Sequence, residues 1–129
     1  MQLQQPSPEL ARQILSDVPY EDRLTAYKMR HGPGPQRRRL YSLEETSEFL
    51  SIDDGDTLQQ LGGKGSVTDI DFVELQDWVA EVIGDQELAA AIHNEIVDAD
   101  CYREKLQRIQ PLLKSRVEQS KKVVNTHGD

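Results

Sequence analysis

Residues 31–35 read His31-Gly32-Pro33-Gly34-Pro35, and no helix or central strand can pass through them. Each proline lacks an N–H donor, and each biases the residue before it away from helical geometry. The alternating glycines suit an exposed turn or linker. With 129 residues in all, the chain has room for one core and not for two ordinary domains. The expected layout is an N-terminal helical appendage over 1–36, a helical core domain over 37–120 and a flexible tail over 121–129.

Apolar spacing around this breaker is mostly helical. Ser7, Pro8 and Glu9 form a start signal for a short helix over 7–17, with Leu10 and Ile14 on one side. A second helical segment is expected over 20–31. Ser42-Leu43-Glu44-Glu45 is a capping box, in which the serine accepts the N–H of Glu45 and the glutamate reaches back. A turn or two of helix is expected over 57–61. From Thr68 to Val82, Phe72, Leu75, Val79 and Val82 recur at three- and four-residue spacing. Gly84-Asp85 stops that helix and starts another, expected to run from Gln86 toward Leu106 and Ile109, with Pro111 kinking it or beginning the next. The fold class is therefore all-α, mainly helical: short helices, then a longer C-terminal helix or helix pair, with minor β possible. Tyr102, Leu106, Ile109, Leu113 and Val117 have near-heptad spacing. They suit either a coiled-coil seam or a helix face packed on the body.

The formal net charge of -8 is unevenly spread. Residues 1–51 carry seven basic and seven acidic side chains, 52–100 carry thirteen acidic ones against Lys64 alone, and 101–129 carry seven basic against three acidic. The acidic middle disfavours a nucleic-acid backbone, although the ends could approach one. One cysteine excludes an intrachain disulfide. The opening Met1-Gln2-Leu3-Gln4-Gln5-Pro6 does not resemble a signal peptide, and no apolar run reaches the roughly 20 residues that cross a bilayer. A cytoplasmic location is expected by default.

Candidate chemistry is sparse. Cys101 and His93 are eight residues apart, about 12 Å along a continuous helix, too far for a nucleophile–base pair. His93, Glu95, Asp98 and Asp100 supply ligand atoms but no metal-binding spacing. Gly62-Gly63-Lys64-Gly65-Ser66 lacks the order of a phosphate loop. Asp69 to Glu74 resembles the back half of a calcium loop whose front half has no carboxylates. No catalytic, cofactor or metal residue is assigned, and no cofactor is expected.

Arg38-Arg39-Leu40-Tyr41-Ser42-Leu43-Glu44-Glu45, then Thr57-Leu58-Gln59-Gln60-Leu61, and later Glu74-Leu75-Gln76-Asp77-Trp78-Val79, resemble the small winged helix-turn-helix domains of the MerR and phage-excisionase type. The resemblance covers residues 38–79. It implies that Thr57 to Leu61 enter the major groove with Arg37, Arg38 and Arg39 near the backbone, and that the C-terminal helix pairs two subunits.

The leading expectation is a non-enzymatic intracellular interaction or accessory protein. Its contacts would be Arg37, Arg38 and Arg39 together with Tyr102, Leu106, Ile109, Leu113 and Val117, used for a protein partner or for self-association through the C-terminal helix, away from membranes. A DNA-binding regulator with a degenerate helix-turn-helix is the alternative. An enzyme whose site is assembled from residues distant in sequence is a further one.

Overall fold

Ser7 Oγ accepts the N–H of Leu10 at 3.2 Å, and Pro8, which has no N–H to satisfy, opens helix α1, Pro8–Leu15. A computed structural model describes residues 3–30, 36–51 and 66–126. After α1 come a 3-10 turn, Tyr20–Asp22, and strands β1, Leu24–Arg30, and β2, Gln36–Leu40. Helix α2, Leu43–Ser51, and strand β3, Ser66–Asp69, follow. Helix α3, Phe72–Trp78, runs through a π-helical turn, Val79–Ile83, to α4, Gln86–Asp98, and α5, Tyr102–Thr126. The fold is mainly helical with a long C-terminal helix and a minor β component, as the periodicity indicates.

The helix expected over 20–31 is instead the turn and β1. Leu24 and Ala26 point into the core while Thr25 and Tyr27 point away from it, so the local pattern is an alternation of period two. β1 is the middle strand of an antiparallel sheet of order β2-β1-β3, with Leu24 opposite Leu40 and Tyr27 opposite both Arg37 and Asp69. The start expected at Thr68 falls in β3. Asp71 caps α3 instead, accepting the N–H groups of Val73 and Glu74 at 2.9 and 3.2 Å. The expected run from Gln86 to Ile109 is two helices, because Ala99 leaves helical geometry (φ -94, ψ 144).

Residue 36 does not separate an appendage from a core. Leu3, Ile14, Val18, Leu24 and Ala26 belong to the same buried cluster as Leu40, Leu75, Ile92 and Leu113, and α1 packs on α5. Residues 121–126, expected to be tail, belong to α5, and the Val123 side chain is buried. Pro111 lies inside α5 on its exposed side. Gln107, whose carbonyl it leaves without a helical donor, is exposed as well. The short helix expected over 57–61, the Gly62–Gly65 turn and the Gly-Pro breaker lie outside the described residues.

Ser42 performs the capping expected of it, accepting from the Glu45 N–H at 3.1 Å, while Glu45 Oε1 reaches back to the N–H of Tyr41 at 2.9 Å. Inward residues of α5 recur at alternating steps of three and four: Leu106, Ile109, Leu113, Arg116, Ser120 and Val123 are all buried. Each fully buried leucine or isoleucine stabilises the fold by about 1.5–3 kcal/mol. Among the described residues, no helix is long and apolar enough to cross a membrane.

Candidate functional site

Alternation along β2 divides the arginine triplet. Leu40 is buried opposite Leu24, so Arg38 lies on the Leu40 side of the strand, while Arg37 and Arg39 lie on the outer side with Thr25 and Tyr27. Arg37 and Arg38 are both exposed. Arg39 is half-buried and tied down: Nη1 donates to Thr25 Oγ1 at 3.3 Å, Nη2 donates to the Tyr20 carbonyl at 2.9 Å, and Cζ stands 4.9 Å from the Tyr20 ring centroid. Its Nε is buried with no hydrogen-bond partner among the described residues.

Arg23 adds a second cation to the same cluster. Its Nε donates to the Val18 carbonyl at 3.3 Å, and its Cζ lies 5.5 Å from the Tyr20 ring centroid and 5.7 Å from that of Tyr41. The 3-10 turn brings Tyr20 to this point, and the bond from the Val18 N–H to the Tyr41 carbonyl (2.7 Å) holds the two chain segments together. Tyr20, Tyr27 and Tyr41 are 59%, 40% and 38% exposed, so three large rings share this solvent-facing surface with the guanidinium groups. Stacking of this kind holds a guanidinium in place while leaving its charge available.

Three cations elsewhere are paired within the chain. Arg108 meets Glu104 and Glu95, Arg116 meets Asp85 and Glu87, and Lys121 meets Glu44. Arg23, Arg37, Arg38 and Arg39 make no ion pair among the described residues. Beyond Tyr27 the surface changes sign, where Thr25 and Tyr27 line an open cleft of about 440 Å³ with Asp71 and Glu74.

The remaining expected contact residues turn inward. Leu106, Ile109, Leu113 and Val117 are buried in the core. The Tyr102 ring tilts against Phe72 at a centroid distance of 4.9 Å, and its hydroxyl accepts the Ile70 N–H at 3.2 Å. The heptad-like stripe is thus the seam by which α5 packs on its own body. That leaves its exposed side, with Lys114 and Lys122, to face outward.

The polar centre of the fold is a network around Arg116 and Asp85, neither of which is among the site residues expected from the sequence. Arg116 is an arginine at a heptad position after Leu113, and that placement was the available signal. Nε donates to Asp85 Oδ2 at 2.6 Å and Nη2 to Asp85 Oδ1 at 3.0 Å. Asp85 Oδ1 also caps α4, accepting the Leu88 N–H at 3.1 Å. Gly84, at φ +85, makes the turn that delivers Asp85 there.

His93 Nδ1 is 3.3 Å from Gln76 Oε1, and Cys101 is exposed in the turn between α4 and α5. Among the described residues, no three His, Cys, Asp or Glu side chains are grouped to hold a metal ion. A scan against protein-family models, a search of curated proteins and a search of solved structures returned no match to this chain.

Proposed function

We propose that the chain is a non-enzymatic binding module that docks an acidic protein segment on the surface formed by Arg23, Arg37 and Arg39 with Tyr20, Tyr27 and Tyr41. The observation that carries this reading is the clustering of these arginines with three exposed tyrosines, with no ion pair to any of them among the described residues. A guanidinium meets a carboxylate through two parallel hydrogen bonds, which gives both affinity and direction. Arginine and tyrosine are also the side chains in which binding energy concentrates at interfaces. The neighbouring Asp71 and Glu74 would orient an acidic segment by repelling its wrong end.

A DNA-binding regulator is the second reading, favoured by Arg37 and Arg38 being exposed on opposite sides of a strand that leads directly into α2. The MerR-type resemblance supports it, while the segment that would read bases, Thr57 to Leu61, lies outside the described residues. Against it stands the acidic majority of the chain, which repels a phosphate backbone.

Fluorescence anisotropy with labelled poly-glutamate and with a labelled mixed-sequence DNA duplex, at low and physiological salt, separates the two. The docking reading expects poly-glutamate to bind, to weaken with salt, and to be lost in the double variant Arg37→Glu/Arg39→Glu. A Tyr20→Ser variant should weaken it as well. Duplex binding that exceeds poly-glutamate binding and falls with Arg37→Glu/Arg38→Glu would transfer the assignment to DNA. No binding of either probe at low salt would overturn both.

A further inference from the structure

The segment Leu3–Ser7 has no regular secondary structure, and the side chains that hold it grip its main chain. Gln4 N–H donates to Glu87 Oε1 at 3.0 Å, Arg116 Nη1 donates to the Gln4 carbonyl, and Gln119 Nε2 donates to the Leu3 carbonyl at 3.0 Å. Leu3 and Pro6 are buried, whereas Gln4 and Gln5 are exposed. Recognition therefore uses two apolar anchors three residues apart and the backbone groups between and beside them. The glutamine side chains of the segment are not read.

The residues that do the reading are positioned by contacts of their own. Asp85 is fixed as the cap of α4 and holds the Arg116 guanidinium by two bonds. Arg116 Nη2 lies 3.2 Å from Glu87 Oε1, which steadies the acceptor for the Gln4 N–H. Arg116 Nη1 also donates to Gln119 Oε1 at 3.1 Å, so the Gln119 amide is turned with its NH₂ toward the Leu3 carbonyl. An acceptor and two donors are thus set by α4 and α5 beside the apolar core that takes Leu3, ready for a short peptide. Capture of this kind depends little on which chain supplies the peptide, and exchange of an identical element between copies keeps every contact.

We propose that Asp85, Glu87, Arg116 and Gln119 form a peptide receptor for segments of the pattern apolar-x-x-Pro, filled in cis by Leu3–Pro6 and able to take the same segment from a second copy of the chain. The site is separate from the arginine–tyrosine surface and stands independently of the docking reading.

The test uses the chain lacking residues 1–6, with Ser7 kept as the cap of α1, and a fluorescein-labelled peptide of residues 1–7. Anisotropy should show saturable binding to the shortened chain and none to the intact one, whose receptor is already filled. The same peptide carrying Leu3→Asp should not bind. If the shortened chain is folded by far-ultraviolet circular dichroism and the peptide does not bind, the proposal is wrong. If the shortened chain is unfolded, the peptide should restore the helical signal while the Leu3→Asp peptide does not. Failure of that restoration would equally overturn it.

Discussion

Arg116 grips Asp85 by two near-parallel bonds, Nε to Oδ2 at 2.6 Å and Nη2 to Oδ1 at 3.0 Å, with the arginine 1% exposed and the aspartate fully buried. Withdrawing two charges from water is costly, and the pair is tolerated because nearly every donor and acceptor finds a partner. Removing one partner strands the other. Asp85→Ala and Arg116→Met are each expected to lower stability by about 3–5 kcal/mol, with Asp85→Ala at the upper end because α4 also loses its cap. The double variant should cost less than the sum of the two. Urea denaturation of the three variants checks this, and additive losses would mean that the two residues act separately.

The Leu106–Val117 stripe is core, and that has a measurable signature. Leu113→Ala should cost about 2–5 kcal/mol in chemical denaturation, as truncation of a fully buried leucine does. The loss should be the same across protein concentrations, since the chain's own core already buries the residue. A dependence of the denaturation midpoint on concentration would instead point to α5 as an oligomer seam.

Gly84 sits at φ +85, where an L side chain crowds its own backbone. A Cβ there would also lie 2.8 Å from Gln13 Nε2, the far end of a flexible side chain that can swing aside. The backbone term therefore decides the outcome. Gly84→Ala should lower stability by about 1–2 kcal/mol, and Gly84→Asn by less, because asparagine tolerates the left-handed region. Thermal melts of both variants give the ordering.

Lys121 titrates above its ordinary value of 10.5, held there first by its hydrogen bond to Glu44, then by the charge of Glu44, with smaller contributions from Glu48 and Glu118. A cation whose folded-state pKa is raised adds stability that is complete below the unfolded value and lost as pH climbs through the folded one. The difference in melting temperature between the natural chain and Lys121→Met should hold steady from neutral pH to 10.5 and shrink above it. Because the pair is solvent-exposed, the difference should be small and should fall with added salt. A difference that grows at high pH would contradict the assignment.

Features encoded locally were legible in the sequence. Ser7 with Pro8 and Ser42 with Glu45 each start a helix as their spacing indicates, and the apolar periodicity of α5 marks its buried face. The β1 strand was not legible, because Leu24, Ala26 and Tyr27 fit a short helix as well as a strand. What decides between them is pairing with Gln36–Leu40 and with Ser66–Asp69, segments far enough along the chain that no local window contains them. The same holds for the site. Arg37 and Arg38 could be read as exposed cations from their run, but the stacking of Arg39 and Arg23 on Tyr20 depends on a 3-10 turn that local spacing took for helix. Arg116 looks like any surface arginine until its position in the three-and-four stripe is counted, and its partner is 31 residues away.

The bonds from α5 to Gln4 and Leu3 bridge 112 and 116 residues of chain. Contacts between neighbouring elements such as α3, α4 and α5 close short loops, whereas these two close far longer ones and are expected to form late. During synthesis the order is harsher still. Leu3 leaves the ribosome more than a hundred residues ahead of the α5 side chains that receive it, so an apolar segment is displayed first and docked last. At translation rates of about 5–20 residues per second, that delay lasts about 6–23 s. In a cell it is the interval in which the segment of one chain can meet the receptor of another whose own segment has not yet docked.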